Sequence, residues 1–307
     1  MPRHCCPAPP LSTRKPSESL LPTDPETLIS HYPSRYREAV ATTIADIRAG
    51  LFHKAIVSRP LPLSDGVQLD FAATYLAGRR ANTPARSYLL DLGGWQVAGF
   101  SPETIVQVGA DGRVTTQPLA GTRALDHDPV RNRRLREELL TDPKEVHEHA
   151  LSVRLACDEL TGVCQPGSVN VEEFMNISER GSVQHLASRV SGRLRETADA
   201  WDAFAALFPA VTATGVPKVP ALQAIRRHEN GLRGLYGGAV FAAGADGSLD
   251  AALVLRSVFR NNGTVWLRAG AGITRQSTPD REWEETCEKL RSIAPHLRMV
   301  NENRPEQ

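Results

Sequence analysis

Apolar residues recur at two periods along the chain, and these periods predict where helices and strands lie. Val40, Ile44 and Ile47 recur at intervals of three and four residues, which is typical of one face of a helix. We expect this helix to begin near Tyr36 and to end at Gly50. Short apolar runs bounded by turn residues predict strands at 54–59, 87–92, 96–101, 104–108 and 113–117, the last two forming a hairpin.

The same periods divide the second half of the chain into helices, strands and a meander. Helices are predicted at 130–160, 201–208, 218–229 and 279–293, and strands at 168–177 and 182–194. The meander has strands at 235–243, 249–259 and 264–273, separated by turns that contain Asp246-Gly247 and Asn262-Gly263. Strands joined by short turns are antiparallel, so the predicted fold class is α+β, with helices packed outside antiparallel sheets.

Composition and charge narrow the class of protein. The 307 residues are 41% hydrophobic and 23% charged, with a formal net charge of +1, which is ordinary for a globular protein. The sequence has no basic stripe with interleaved aromatics, no apolar run of roughly 20 residues, and no regular cysteine spacing. We therefore expect a cytoplasmic protein without nucleic-acid or membrane partners. The predicted organisation is a flexible Pro/Ser-rich tail at 1–30, one domain at 31–300 and a polar tail at 301–307.

Two predicted helices carry acidic residues at matched spacing. Glu145 and Glu148 lie three residues apart, and Glu282, Glu285 and Lys289 also share one helix face. Taken alone, this spacing is also typical of a capping box or of a surface ion pair. Should the two faces meet, their carboxylates would suit Mg²⁺, which prefers oxygen ligands and often links one or two carboxylates to an anionic substrate.

Arg256 is placed by strand alternation on an apolar stripe. In the predicted strand 249–259 it has the parity of Ala252, Val254 and Val258. A buried guanidinium requires an anionic partner, because an unpaired buried charge is very costly. The alternative interpretation is an arginine at a strand end that reaches solvent.

Glycines suggest a second kind of anion site. Gly215 precedes the predicted helix that begins at Lys218, where free backbone N–H groups favour a carboxylate. Gly270 and Gly272 remove side chains at the end of a strand and permit close approach of a ligand. Each signal alone is weak, because glycines mark turns far more often than ligands.

Four further residues have both a structural and a chemical interpretation. Lys54 lies in a strand, where it would ordinarily protect a sheet edge, and Glu103 follows Pro102 in a loop. His185 and Tyr236 would ordinarily be core residues with satisfied polar atoms. Each is also a residue type used in acid–base chemistry or anion binding.

Ten short runs appear in a fixed order along the chain: KAIVSR (54–59), GFSPE (99–103), PLAGTR (118–123), KEVHEH (144–149), GSVQHLAS (181–188), FPAVTATGVPK (208–218), GLYGGAV (234–240), DAALVLR (250–256), RAGAGI (268–273) and REWEETCEKL (281–290). In this order they resemble the chorismate-utilising enzymes, the family of anthranilate, isochorismate, aminodeoxychorismate and salicylate synthases. The resemblance covers about 36–300. It implies the antiparallel β-sandwich of that family with helices outside, and chorismate as the small-molecule substrate.

The resemblance also implies roles for individual residues. Lys54 would act as general base on the water that attacks C2 of the ring, and Glu103 as general acid on the departing C4 hydroxyl. Glu148 and Glu285 would be direct ligands of Mg²⁺, the implied cofactor. Its waters would be held by two further carboxylates, Glu145 and Glu282.

Further positions would bind or orient the substrate. Tyr236 and Arg256 would bind the pyruvyl carboxylate, and His185 would help to orient isochorismate for loss of pyruvate. The remaining implied substrate-binding residues are Thr122, Thr212, Gly215, Ala269, Gly270, Gly272 and Lys289.

Within the family, three details point towards the salicylate synthases. Lys54 stands at the position of the water-activating base, and Ala120 replaces the lysine nucleophile of the aminodeoxychorismate synthases. The runs at 208–218 and 282–290 also resemble the corresponding runs of salicylate synthases. The expected products are salicylate and pyruvate, the former a precursor of siderophore-like metabolites. An isochorismate or anthranilate synthase and an inactive binding subunit remain alternatives.

Full-length relatives carry a substantial segment before the helix near Tyr36, and it supplies part of their β-sandwich. Here that place holds the polar tail. We therefore expect self-association or a partner chain to cover sheet surface that would otherwise be exposed.

Overall fold

The computed structural model describes residues 24–31, 33–64, 66–229 and 231–300. Its helices begin where the sequence supplies caps: Asp142 caps one helix with Pro143 in the first turn, and Thr278 and Pro279 do the same for the last. The helices are α1 Pro25–Ile29, α2 Pro33–Arg48, α3 Phe71–Ala81, α4 Pro129–Thr141, α5 Pro143–Thr161, α6 Ala200–Leu207, α7 Lys218–His228 and α8 Pro279–Leu290.

The strands form two sheets, and the hydrogen-bonded strand pairs of the described residues are antiparallel. The turn at Asn262-Gly263 has positive φ at both residues, as the sequence predicts for a tight hairpin. The strands are β1 Lys54–Pro62, β2 Arg86–Leu92, β3 Trp95–Ser101, β4 Thr104–Val108, β5 Arg113–Thr116, β6 Leu119–Ala124, β7 Asn170–Arg180, β8 Val183–Arg193, β9 Gly215–Val216, β10 Ala239–Ala243, β11 Leu249–Leu253, β12 Ser257–Asn261 and β13 Thr264–Ile273.

The order of strands brings distant segments of the chain together. One sheet has the order β2-β3-β12-β13-β1-β9, and the other has β10-β11-β4-β5-β8-β6, with β7 also paired to β8. Helices α2, α7 and α8 pack on the first sheet, and α5 and α6 pack on the second. A small apolar cluster that includes Val97, Tyr236, Val254 and Phe259 lies between the sheets. The predicted α+β fold class is confirmed.

The predicted meander is wrong in its middle strand. The run 249–259 is divided into β11 in one sheet and β12 in the other, with Arg256 at the crossing between them. Arg256 has a φ of 51°, a left-handed conformation that side-chain-bearing residues seldom adopt. Continuous apolar character hides such a break, because both halves are buried.

The first described helix and three other elements also differ from the prediction. Helix α1 lies within the predicted flexible tail, and its Leu28 and Ile29 are buried in the core, which explains why it is ordered. The predicted helix 130–160 is two helices divided at Asp142, since Pro143 cannot continue a helix from α4. Helix α3 and strand β6 were not predicted. Residues 1–23 and 301–307, the rest of the predicted tails, lie outside the described residues.

Candidate active site

A cleft opens between the two sheets, and helices α5 and α8 contribute acidic and basic side chains to it. Its empty space, including open solvent at the mouth, is about 590 Å³. The predicted site residues that line this cleft are Lys54, Glu103, Thr122, Glu148, His185, Thr212, Tyr236, Arg256, Ala269, Gly270, Gly272, Glu285 and Lys289.

Glu103 enters the cleft from the short connection between β3 and β4. Its backbone carbonyl accepts a hydrogen bond from the Ser101 hydroxyl at 3.0 Å, and its Oε1 accepts one from Thr212 at 2.8 Å. Burial raises the pKa of Glu103 to about 8, against the lowering effects of Thr212 and Lys54. The carboxyl group is therefore protonated at neutral pH and can donate a proton.

Lys54 lies at the start of β1, with no exposed surface. Its Nζ donates a hydrogen bond to Ser152 Oγ at 3.0 Å and lies 3.1 Å from Glu148 Oε1. Burial alone would raise the pKa of Glu148, but Lys54 and Lys144 outweigh that effect and lower it. The structure thus places the amino group of Lys54 and the carboxylate of Glu148 side by side at the base of the cleft.

Arg256 and His185 form a directed pair opposite those residues. His185 Nδ1 lies 3.1 Å from the Gly121 carbonyl, so Nδ1 carries the proton. Its Nε2 then accepts a hydrogen bond from Arg256 Nη2 at 2.9 Å. Burial, together with the charge of Arg256, lowers the pKa of His185 well below its usual value, and the ring is neutral.

Arg256 keeps its charge despite being buried. Burial lowers its pKa to about 10, which leaves it protonated at neutral pH. Its partners in the hydrogen-bond network are His185 and, at 3.5 Å, the Arg180 carbonyl, and neither is an anion. The sequence argument for a buried guanidinium is thus right in its outcome, although the strand parity on which it rested is wrong. An anionic ligand in the cleft would complete the pairing.

The two predicted glycines permit close contacts. A side-chain carbon added at Gly270 would lie 3.0 Å from the Tyr236 hydroxyl, and one at Gly272 would lie 2.0 Å from Glu148 Oε1. Tyr236 is buried, which raises the pKa of its phenol and keeps it a hydrogen-bond donor. These glycines therefore allow the Tyr236 hydroxyl and the Glu148 carboxylate to lie directly against the backbone of β13.

The acidic faces of α5 and α8 meet, as the spacing allowed. Lys289 Nζ donates to Glu285 Oε1 at 2.7 Å and to the Gly270 carbonyl at 2.9 Å. Burial would raise the pKa of Glu285, but Lys289 and Lys144 outweigh it and hold that pKa well below its usual value. Glu285 is buried and the Lys289 side chain is only 17% exposed, so the alternative of a surface ion pair is wrong.

The acidic cluster, which we define as Glu145, Glu148, Glu282 and Glu285, has oxygen atoms free to bind a cation. Oε2 of Glu282 and Oε2 of Glu285 are buried without a hydrogen-bond partner, and Oε1 of Glu282 has only the Lys144 ammonium, 3.2 Å away. Hard oxygen donors of this kind fit Mg²⁺. Among the described residues, no three acidic, histidine or cysteine side chains converge on a single direct metal site. Two direct carboxylates, with the rest of the shell from water or substrate, is the arrangement that fits.

Three predicted site residues lie outside the cleft. Gly215 pairs with β1 in strand β9, where an added carbon would lie 2.1 Å from the Lys54 carbonyl, so it is a packing residue, and the predicted anion site before α7 is wrong. Glu145 accepts hydrogen bonds from the Thr122 N–H at 3.0 Å and from Arg123 at 2.9 Å, so it does not form the capping box either. Glu145 and Glu282 line a second cavity.

Sequence reasoning missed Arg268. It lines the cleft, is 3% exposed, and has a buried Nε without a hydrogen-bond partner. On β13 it shares its face with Gly270 and Gly272, so strand alternation could have identified it. Other missed residues of the lining are Ile56, Pro102, Leu119, Gly121 and Leu255.

Comparison with known proteins agrees with this site. The family described as chorismate binding enzyme matches residues 8–295. The chain therefore belongs to the chorismate binding enzyme family. It is 52% identical over 265 residues to a salicylate synthase of Mycolicibacterium paratuberculosis, covering 86% of this chain and 58% of that protein. The chain thus spans less than two thirds of that relative.

Two solved structures have the same fold. Anthranilate synthase component I from Streptococcus pneumoniae superposes with a TM-score of 0.76 at 32% identity, covering 86% of this chain and 58% of the other. The menaquinone-specific isochorismate synthase from Escherichia coli superposes with a TM-score of 0.75 at 28% identity, covering 86% and 61%. The predicted family is confirmed. Within the described part of the chain, no helix has the length and apolar character needed to cross a membrane.

Proposed function

We propose that this protein is a Mg²⁺-dependent salicylate synthase, which converts chorismate to isochorismate and then to salicylate and pyruvate. The observation that carries the proposal is the pair formed by Lys54 and Glu103, a buried amine and a buried protonated acid in one cleft of a chorismate binding enzyme. The 52% identity to a salicylate synthase supports the specific reaction. Salicylate would serve as a precursor of siderophore-like metabolites.

In the first step, a water adds at C2 of the ring as the C4 hydroxyl leaves. Lys54, acting in its neutral amine form, takes the proton from the attacking water and becomes an ammonium, and Glu103 gives its proton to the departing hydroxyl, which leaves as water. Support for this division comes from the raised pKa of Glu103, which keeps its proton available at neutral pH. The Thr212 hydroxyl, 2.8 Å from Glu103 Oε1, fixes the direction of the acid.

In the second step, isochorismate loses pyruvate by an intramolecular rearrangement, for which orientation is the main contribution of the protein. Arg256 and Tyr236 bind the pyruvyl carboxylate, and the neutral His185 holds the guanidinium of Arg256 in place. Thr122 contacts His185 Nδ1 at 3.2 Å and supports its ring. The neutral state of His185 suits this role, because a second positive charge would repel Arg256.

Magnesium, when bound to Glu148 and Glu285, would neutralise the acidic cluster and hold the ring carboxylate of the substrate. The unpartnered oxygens of Glu282 and Glu285 support this assignment. Lys289, paired with Glu285 and the Gly270 carbonyl, limits the cleft on that side.

Ala120 supports the choice among family reactions. It lines the cleft at the position where aminodeoxychorismate synthases carry their lysine nucleophile, and a methyl group cannot form a covalent intermediate. The nucleophile would therefore be a diffusible molecule, water in the proposed reaction or ammonia in anthranilate formation. Isochorismate or anthranilate formation remains the second candidate, since the solved relatives catalyse reactions named for those products.

One assay tests the proposal. The purified chain is incubated with chorismate and Mg²⁺, with and without ammonia, and the products are separated by chromatography and identified against authentic standards, because isochorismate and chorismate have the same mass. Salicylate formed without ammonia, and abolished by EDTA, is the expected result. Accumulation of isochorismate, or anthranilate formed with ammonia, would replace the proposal with the second candidate. Binding of chorismate without any product would indicate a binding subunit. Self-association or a partner chain stays a prediction.

A further inference from the structure

A second cavity adjoins the acidic cluster. Its empty space, including the mouth, is about 660 Å³, and it is lined by Asp142, Lys144, Glu145, Ser277, Arg281 and Glu282, among others. Glu148 and Glu285 line the substrate cleft instead. The acidic cluster therefore lies between two solvent-accessible spaces, one with room for substrate and the other bordered by Lys144.

The Lys144 ammonium lies inside the acidic cluster. Its Nζ is 3.2 Å from Glu282 Oε1, 3.3 Å from Glu148 Oε2 and 3.3 Å from Glu145 Oε1. Glu145 already has Arg123 as a partner and Glu148 already has Lys54, so Lys144 matters most to Glu282. The side chain is only 10% exposed. A single ammonium thus compensates carboxylates from both α5 and α8.

A divalent cation and this ammonium would compete. Mg²⁺ binds carboxylate oxygens at about 2.0–2.1 Å, so it would stand within a few ångströms of Nζ and repel it strongly in a buried site. The backbone of Lys144 is fixed in the first turn of α5 by Pro143 and the Asp142 cap. Its long side chain can nevertheless rotate, and the second cavity gives it space.

We propose that Lys144 is the resident counter-ion of the acidic cluster in the metal-free protein, and that it moves into the second cavity when a divalent cation binds. This inference rests on the proposed Mg²⁺ dependence. It assigns Lys144 as a residue that sets metal affinity, and it assigns the second cavity as the place that receives the displaced side chain. The metal-free protein keeps its two acidic helices together through this lysine, and Mg²⁺ binds more weakly because it must displace it.

The test measures Mg²⁺ binding by calorimetry after treatment with EDTA, so its readout is independent of activity. We expect Lys144→Met to lower the Kd roughly tenfold, in the range typical of coupled binding events. The metal-free variant should melt at a lower temperature than the wild type and gain more from added Mg²⁺. Lys218→Met is the matched control: Lys218 pairs with Glu159 outside the acidic cluster, and its loss should leave the Kd unchanged.

A second variant tests the cavity. Gln276, exposed at the rim of the second cavity, is replaced by Trp to reduce the space for the displaced side chain. Gln276→Trp should weaken Mg²⁺ binding, opposite to Lys144→Met, and an unchanged Kd would overturn the assignment of this cavity. Should Lys144→Met not fold, Lys144→Gln keeps a hydrogen-bond donor without the charge and should show the same tightening.

The possible failures are distinguishable. Wild-type protein that binds no Mg²⁺ would overturn the proposed cofactor and this inference with it. Wild-type protein that binds Mg²⁺, together with a Lys144→Met variant that binds equally or more weakly, would overturn the inference alone. In that case Lys144 would support the metal carboxylates, and it would not compete with the ion.

Discussion

The guanidinium of Arg256 donates a hydrogen bond to His185 Nε2 over 2.9 Å, within the cleft between the sheets. The other ring nitrogen of His185 faces the Gly121 carbonyl at 3.1 Å, and this contact fixes the tautomer. A neutral base thereby orients a buried cation without neutralising it. The positive charge of Arg256 stays available for an anionic group of the substrate.

Arg256→Lys should raise the KM for chorismate roughly tenfold or more, because a lysine keeps the charge but cannot supply two parallel hydrogen bonds. Steady-state kinetics with separate kcat and KM values check this expectation. Arg260→Lys is the control, since Arg260 contacts Gln96 on β3, outside the residues that line the cleft. An unchanged KM in Arg256→Lys would remove Arg256 from the carboxylate site.

The proposed acid predicts an alkaline limit to activity. Burial raises the pKa of Glu103 to about 8, and only the protonated form can act, so kcat should fall as the pH rises through about 8. The Thr212 hydrogen bond lowers this pKa, so Thr212→Val should move the limit to a higher pH. A pH–rate profile of both proteins decides the matter. A limit that stays in place or moves to lower pH would exclude Glu103 as the titrating acid.

Lys54→Ala should separate the two steps. Without the amine, addition of water to chorismate should fall by roughly 10²–10⁴-fold, the usual contribution of a general base. Loss of pyruvate from supplied isochorismate should persist, because that rearrangement requires no base. Product analysis with each substrate in turn measures both steps. Equal loss of both would mean that Lys54 instead supports the structure through Ser152 and Glu148.

Gly272→Ala should displace the Glu148 carboxylate with little loss of stability. The added carbon would lie 2.0 Å from Glu148 Oε1, and the end of a flexible side chain can move to avoid it. A displacement of about 1 Å in a catalytic group costs on the order of a hundredfold in rate. Gly263→Ala, at a turn with open space but with positive φ, is the control for backbone strain. Gly272→Ala should lower kcat/KM strongly with little change in melting temperature. Gly263→Ala should not show this combination.

Glu285→Gln should abolish the Mg²⁺-dependent activity. The substitution keeps the shape of the side chain but removes the charge that a hard cation requires. Titration of EDTA-treated protein with Mg²⁺, followed by product formation, measures the effect. Glu284→Gln is the control, because Glu284 is the adjacent residue and its carboxylate is half exposed and pairs with Arg291. Normal metal dependence in Glu285→Gln would refute the ligand assignment.

The sequence predicted the residues of the cleft better than the path of the chain through it. Short turns and helix caps, such as Asn262-Gly263 and Asp142-Pro143, depend only on neighbouring residues and could be predicted from the sequence. The division of 249–259 between two sheets could not be predicted. The residues on both sides of Arg256 are buried, so their apolar pattern is the same as that of one continuous strand. Gly215 was misassigned for a related reason. Because Gly215 has no side chain, the backbone of Lys54 can lie close to it, and this contact joins segments far apart in sequence.

Lys144 shows the limit of spacing arguments. The sequence around Lys144 indicates only an ordinary residue in the first turn of a capped helix. Only the packing of α8 against α5 brings Glu282 within 3.2 Å of its amine. Contacts of this kind depend on the tertiary fold, so no periodicity in either helix can predict them.

The passage of the chain from β11 to β12 at Arg256 has a mechanical consequence. Each half of the sandwich holds one side of this residue, through Leu253 on one side and Ser257 on the other. Any sliding of one half against the other must therefore rotate the arginine. Affinity for an anionic ligand therefore depends on how the two sheets are aligned. Substitutions far from the cleft that shift one sheet against the other would first weaken anion binding.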